Sequence, residues 1–221
     1  MTLASASANS GAPKFDAGFR SALHDLFAWR RDVRRFRRTP LPDGSIERLI
    51  DLACLAPSVG LSEPWRFIIV DDAARRAAVR ASFEVCNASA LAAQEASRAA
   101  LYARLKLAGL DDAPCQVAVF ADPSTSQGHG LGRRTMPEMI EYSAVMAIHT
   151  LWLAARAEGI GVGWVSILDP VRIASILETP SAWKLIGYLC IGYPALEDDT
   201  PTLQQQGWES RRKPSSVLFR R

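Results

Sequence analysis

The chain has 221 residues, 48% of them hydrophobic and 22% charged, with a formal net charge of +3. That is the balance of a soluble globular protein long enough to bury a sizeable core. The charge is too small for a chain that coats nucleic acid, and no apolar run is long enough to span a bilayer. The basic excess is local, in 30–38 and 211–221, which points to discrete anion sites. Residues 1–15 begin small and polar with no apolar h-region, so a disordered start is expected and a signal peptide is not. Cys54, Cys86, Cys115 and Cys190 have neither zinc nor thioredoxin spacing. They read as buried thiols in a reducing cytoplasm, and no metal site is expected.

Residues 16–221 read as one domain. Phe19, Leu23, Leu26 and Phe27 recur at helical spacing, which predicts a helix from Asp16 to about Arg31. A turn at 39–44 leads to a second helix carried by Ile46, Leu49, Ile50 and Ala53, with Asp43 or Ser45 as its cap. Pro57 to Trp65 is a loop feeding a strand at 66–70. A long alanine-rich helical region follows over 73–107, broken near 87–89 and stopped by Gly109. Cys115–Ala121 is an apolar strand, and 122–135 a loop.

Residues 137–158 form the most apolar helix, hydrophobic nearly all round and so expected in a core or interface. Strands at 161–167 and 185–191 flank a short helix opened by Asp169-Pro170. From about 194 the chain is polar and aperiodic, an extended arm that must lie on something. The expected fold class is α+β: a sandwich of helices around a small mixed sheet, with an extended C-terminal arm.

Chemistry concentrates in Arg30-Arg31-Asp32-Val33-Arg34. As a helix end, this stretch would place Arg30 and Arg34 one turn apart, facing one anion. Guanidinium grips phosphate in a planar, two-pronged way that lysine does not copy. The plainer reading is a solvated basic helix end. Asp32 would repel a phosphate, so it either pairs with an arginine or points elsewhere. Gly159-Ile160-Gly161-Val162-Gly163 is no dinucleotide fingerprint, because its glycines precede a strand instead of following one. Those glycines suit a strand on which a flat ligand or another backbone lies closely. Ser166 at its end is an ordinary turn residue unless something brings a ligand to it. His24, His129 and His149 lack metal spacing, and His149 reads as a core or interface histidine. Trp65, Trp152, Trp164, Trp183 and Trp208 read mainly as core.

The order of these motifs resembles the nitroreductase family. Arg30-Arg31-x-Val33-Arg34-x-Phe36 resembles its flavin-phosphate motif. Ala56-Pro57-Ser58 with Pro64-Trp65-x-Phe67 resembles its second flavin loop, and Glu158 to Trp164 the strand against the flavin. The likeness runs from about Phe19 to Arg212. Three features depart from the generic pattern. Asp32 stands where Ser or Thr is usual, Leu61 where Asn is usual, and Glu63 where Gln is usual. The first two resemble a branch of the family that destroys its flavin.

For that branch the resemblance implies reduced FMN as substrate and O2 as co-substrate. The products would be 5,6-dimethylbenzimidazole, the lower ligand of vitamin B12, and erythrose 4-phosphate. It implies flavin-binding roles for Arg30, Arg31, Asp32, Val33, Arg34, Ser58, Gly60, Leu61, Val165, Ser166 and, from the arm, Arg211. Asp32 and Ser166 would be catalytic. It further implies a homodimer with sites at the interface and a separate flavin reductase that supplies the reduced flavin. Neither nucleic acid nor membrane is an expected partner. Two alternatives stay open: an NAD(P)H-dependent nitroreductase or flavin reductase that leaves its FMN intact, and a non-catalytic flavin-binding module.

Overall fold

The computed structural model describes residues 11–221. Of the segment expected to be disordered, residues 1–10 therefore lie outside the described residues. The first helix, α1 (Ala17–Trp29), starts where Asp16 caps it, its Oδ1 accepting from Phe19 N at 2.7 Å. α2 (Ser45–Ala53) has neither expected cap. Gly44, in the left-handed region at φ 75°, is its N-cap, and Ser45 is the first helical residue.

β1 (Trp65–Ile69) leads to α3 (Ala73–Ala92) and α4 (Ala96–Arg104), so the long helical region breaks at 93–95, later than expected. Gly109 does not stop a helix. It lets Phe36 pack against the chain, since a Cβ there would sit 2.3 Å from the Phe36 ring. β2 (Cys115–Ala121) matches its expected bounds, and α5 (Met139–Ala157), β3 (Gly161–Val165), α6 (Pro170–Ile176) and β4 (Lys184–Gly192) nearly do. Asp169 caps α6 through Val171 N and Arg172 N. Within the arm, α7 (Thr202–Gln205) is a single turn.

The sheet order is β1-β2-β4-β3. All three pairings are antiparallel, so the sheet is not mixed; the parallel contact is an isolated bridge between Asp32 and Val162 at the β3 edge. Alternation along β2 sends Val117 and Val119 to one face and Ala118 and Phe120 to the other, all fully buried. The first face packs on Leu49 of α2 and Ile148 and Leu151 of α5. The second packs on Val79 of α3 and Ile173 of α6. Helices thus cover both faces, which explains why the strands read as continuous apolar runs.

One expectation fails in detail and another is narrowed. Only Cys190 is buried, its thiol pushed up to about 12 by burial; Cys54 is exposed and the other two are half-buried. α5 is also not buried all round. It turns Ile140, Ala144, Ile148 and Leu151 inward and leaves Tyr142, Val145, Met146 and His149 on an exposed face. Among the described residues no helix is long and apolar enough to cross a membrane.

Candidate flavin site

The arginine stretch is not helical. α1 ends at Trp29, and Arg30 is already extended, at φ −67° and ψ 118°. Tertiary pairing overrides the helical periodicity here. Val33 N donates to Val162 O at 3.0 Å, Arg37 N to Tyr193 O at 2.8 Å, and Ala195 N to Arg35 O at 2.9 Å. Asp32 and Val33 therefore lie along the β3 edge, and 35–37 pair with residues 193–195 just past β4. Arg30, Asp32 and Arg34 still share one side, but through the period of two of an extended chain.

The glycines of β3 make this approach possible. A Cβ on Gly161 would sit 2.7 Å from Val33 Cγ2, and one on Gly163 2.0 Å from Val33 O. Of the two occupants those glycines suit, the structure therefore shows another backbone. Asp32 is held between two partners. Its Oδ2 accepts from Arg34 Nε at 2.9 Å, and its Oδ1 from Trp164 N at 2.9 Å. Its side chain nevertheless keeps 32% exposure.

Arg30, Arg31, Asp32, Arg34, Thr202 and Arg211 meet at a cavity of about 130 Å³. A second cavity of about 340 Å³ adds Arg104, Lys106 and Asp198 to Asp32 and Arg34. The four arginines of the first cavity have different tasks. Arg31 is a strut for the arm, donating from Nε to Asp198 O at 3.1 Å and from Nη2 to Asp199 O at 2.5 Å. Arg34 uses two of its five N–H donors, one on Asp32 and one, at 3.2 Å, on Lys106 O.

Arg30 and Arg211 make no ion pair among the described residues, so their donors are free for a ligand. The Arg30 guanidinium lies over the Trp152 ring, 4.9 Å from its centroid. Burial pulls its pKa below the usual arginine value; nearby Arg211 acts in the same direction and Asp32 opposes. Arg31 is lowered too, by burial first and then by Arg30 and Arg211. Two cations crowded together with their donors unspent are a site an anion relieves.

The remaining residues divide. Val33 packs on the glycines of β3. Val165 is buried in the core and can offer a ligand only its backbone. Ser166 is exposed just past β3. Ser58, Gly60 and Leu61 stand apart. Ser58 Oγ accepts from Glu63 N at 3.1 Å, and Val59 N donates to Ser143 Oγ of α5 at 3.0 Å. Trp152, beneath Arg30, is nine residues further along α5. At 100° per residue that is half a turn from a whole number of turns, and about 13.5 Å of rise. The arginine cavity and the Ser58 loop thus border opposite edges of the buried face of α5.

Trp152 packs partly on the core, as its place on an apolar helix implies, and it also organises the arginine end, its Nε1 donating to Arg31 O at 3.0 Å. Lys106, Thr202 and Asp198 carried no sequence signal because tertiary folding alone brings them to the cavity.

The Nitroreductase family model matches residues 27–193. The chain is 56% identical over 208 residues to a 5,6-dimethylbenzimidazole synthase of Rhodospirillum rubrum, covering 94% of this chain and 98% of that one. It is 48% identical to a 5,6-dimethylbenzimidazole synthase of Rhodobacter capsulatus, over 88% of this chain and 94% of that one. A crystal structure of oxidised iodotyrosine deiodinase bound to FMN and 3-iodo-L-tyrosine shares the fold, with a TM-score of 0.70 at 24% identity over 90% of this chain and 97% of that one. The chain belongs to the nitroreductase family.

Proposed function

We propose that the protein makes 5,6-dimethylbenzimidazole by the O2-dependent fragmentation of reduced FMN. One observation carries this reading beyond the family likeness. An aspartate, Asp32, sits inside the arginine-lined cavity, at the position where generic nitroreductases place Ser or Thr. A carboxylate there weakens phosphate binding, so its presence needs a chemical reason.

The residues present fit FMN. Arg30 and Arg211 have unspent donors for its 5′-phosphate, and Arg34 is held next to them by Asp32. Reduced FMN supplies the reducing electrons and the carbon skeleton of the product. Asp32 takes or relays a proton at the ribityl–ring junction. An ionised carboxylate offers roughly four acceptor positions, and Arg34 and Trp164 occupy two of them. Ser166 donates or accepts a hydrogen bond near the reactive edge of the ring. Leu61, 68% exposed, provides an apolar wall that keeps bulk water away.

The site is completed across a homodimer. The Ser58 loop and the arginine cavity border opposite edges of α5 in one copy, so a partner's loop meets this copy's arginines. Exposed Tyr142, Val145 and Met146 on α5 and Phe19 and Phe27 on α1 supply the apolar surface for it. A separate flavin reductase supplies the reduced flavin. A monomer in sedimentation would refute the shared site.

The reading is tested by aerobic incubation with chemically reduced FMN and identification of products by mass. Formation of 5,6-dimethylbenzimidazole, abolished when O2 is withheld, is the expected result. FMN recovered intact, with NAD(P)H oxidised in a parallel incubation supplied with it, would replace it with a nitroreductase.

A further inference from the structure

The loop at 122–135 is fastened to the Ser58 loop, and the fastening is concentrated on one side chain. Gln127 Nε2 donates to Leu61 O at 2.9 Å and to Glu63 Oε2 at 3.0 Å. A primary amide nitrogen has two hydrogens, so both are used. Between these acceptors the backbone is strained. Leu61 and Glu63 hold φ at +56° and +41°, a region that side chains other than glycine rarely adopt. Such conformations persist only where the surroundings over-determine them, and they cluster at active sites and ligand clamps.

The surroundings here are the second loop. Its backbone touches the first so closely that a Cβ on Gly128 would lie 2.5 Å from Gly60 O, and one on Gly60 2.8 Å from Leu131 O. Thr125 Oγ1 adds a long bond, 3.4 Å, to Ser62 O. Glu63 stands where the family pattern usually has Gln, and this contact gives it a task. A carboxylate only accepts, so Gln127 must present its nitrogen and not its oxygen. That same orientation aims its second hydrogen at Leu61 O. A glutamine at 63 would leave the amide pair free to reverse, turning the Gln127 oxygen toward the Leu61 carbonyl.

We propose that Gln127, oriented by Glu63, is a positioning residue that fixes Leu61 as the apolar wall of the flavin site. The inference rests on the function proposed above. It makes 122–135 a brace and not a swinging lid. Gln127 is exposed on the surface, so replacing it leaves the core untouched.

The test follows the fate of reduced FMN in the full-length protein under air. Each turnover yields either 5,6-dimethylbenzimidazole or, unproductively, oxidised FMN with hydrogen peroxide. With Gln127→Ala the ratio of benzimidazole to peroxide should fall about tenfold, the scale of one lost charge-assisted hydrogen bond, while FMN affinity stays within about twofold. Gln127→Lys, which restores a donor to both acceptors, should recover most of the ratio. Glu63→Ala combined with Gln127→Ala should be no worse than the poorer single variant, since the two act as a unit.

An unchanged ratio in Gln127→Ala overturns the inference. So does a parallel loss of FMN affinity and melting temperature that lysine does not restore, because that marks a merely structural contact. If the unsubstituted protein itself forms no benzimidazole, the functional reading fails and the inference falls with it.

Discussion

Replacing Gly163 by alanine places a methyl group 2.0 Å from the Val33 carbonyl oxygen. That oxygen belongs to a backbone, so no side-chain rotation relieves the clash. Val33 must move away from β3, and the bonds that hold the segment go with it: Val33 N to Val162 O, and Trp164 N to Asp32 Oδ1. Overpacking of this kind costs about 1–3 kcal/mol. Each lost hydrogen bond adds about 1 kcal/mol, more where a carboxylate accepts it. The sum is about 3–5 kcal/mol, a large part of the roughly 5–15 kcal/mol by which domains are stable.

Gly161→Ala is the internal control. Its methyl would lie 2.7 Å from Val33 Cγ2, 3.0 Å from Pro194 Cγ and 3.2 Å from Val33 Cβ, all side-chain atoms. Val33 can change rotamer, so about 1 kcal/mol is expected. Urea unfolding at constant m gives both differences. FMN titration of the same proteins should show Gly163→Ala binding far more weakly than Gly161→Ala, because Arg30, Asp32 and Arg34 ride on the displaced segment. If Gly163→Ala proved as stable as Gly161→Ala, or kept full FMN affinity, the placement of the arginine segment on β3 would be wrong.

Arg30→Ala should weaken FMN binding about tenfold or more, through loss of a charge-assisted contact. Arg31→Ala should instead loosen the arm, shown by faster proteolysis after residue 194 with a smaller effect on affinity. Equal effects from the two would refute the division of roles. Asp32→Asn should bind FMN at least as well as the parent and form no benzimidazole; full product formation would remove Asp32 from the chemistry. At Asp122 burial raises the carboxyl pKa, but hydrogen bonds from Ser124 N, Ser124 Oγ and Arg66 outweigh it, so the pKa is lowered overall. A depressed folded pKa stabilises above the unfolded value of about 3.9 and loses that contribution as pH falls through the folded one. Asp122→Asn should therefore cost about 2 kcal/mol at neutral pH, with the gap to the parent narrowing below about pH 4; a gap equally wide at pH 3 would contradict this.

Periodicity and punctuation made most of the fold legible. Helix α5 and strands β2, β3 and β4 fall near their expected places because apolar runs bounded by Gly and Pro leave few alternatives. The arginine stretch misled, since its continuation of the α1 pattern is local, while its pairing with Val162 joins residues far apart in sequence. The antiparallel order of the sheet was likewise invisible to local pattern. At the site, Arg30, Asp32, Arg34 and Arg211 were identified from residue chemistry and family likeness, and the structure brings them to one cavity. The roles of Trp152 and Gln127 are not legible in the sequence, for opposite reasons. A tryptophan on an apolar helix reads as core, and a glutamine in a polar loop reads as solvent-facing. Their roles come from what long-range folding sets beside them: the Arg31 carbonyl for one, and Leu61 and Glu63 for the other.

The most direct test of flavin fragmentation is a single turnover with reduced FMN carrying carbon-13 at the ribityl carbon bonded to the ring. Erythrose 4-phosphate removes the four carbons at the phosphate end, so the fifth stays with the ring. The labelled carbon should appear in 5,6-dimethylbenzimidazole, with unlabelled erythrose 4-phosphate formed alongside it. Recovery of the label in intact FMN, with no benzimidazole, would contradict the proposed reaction.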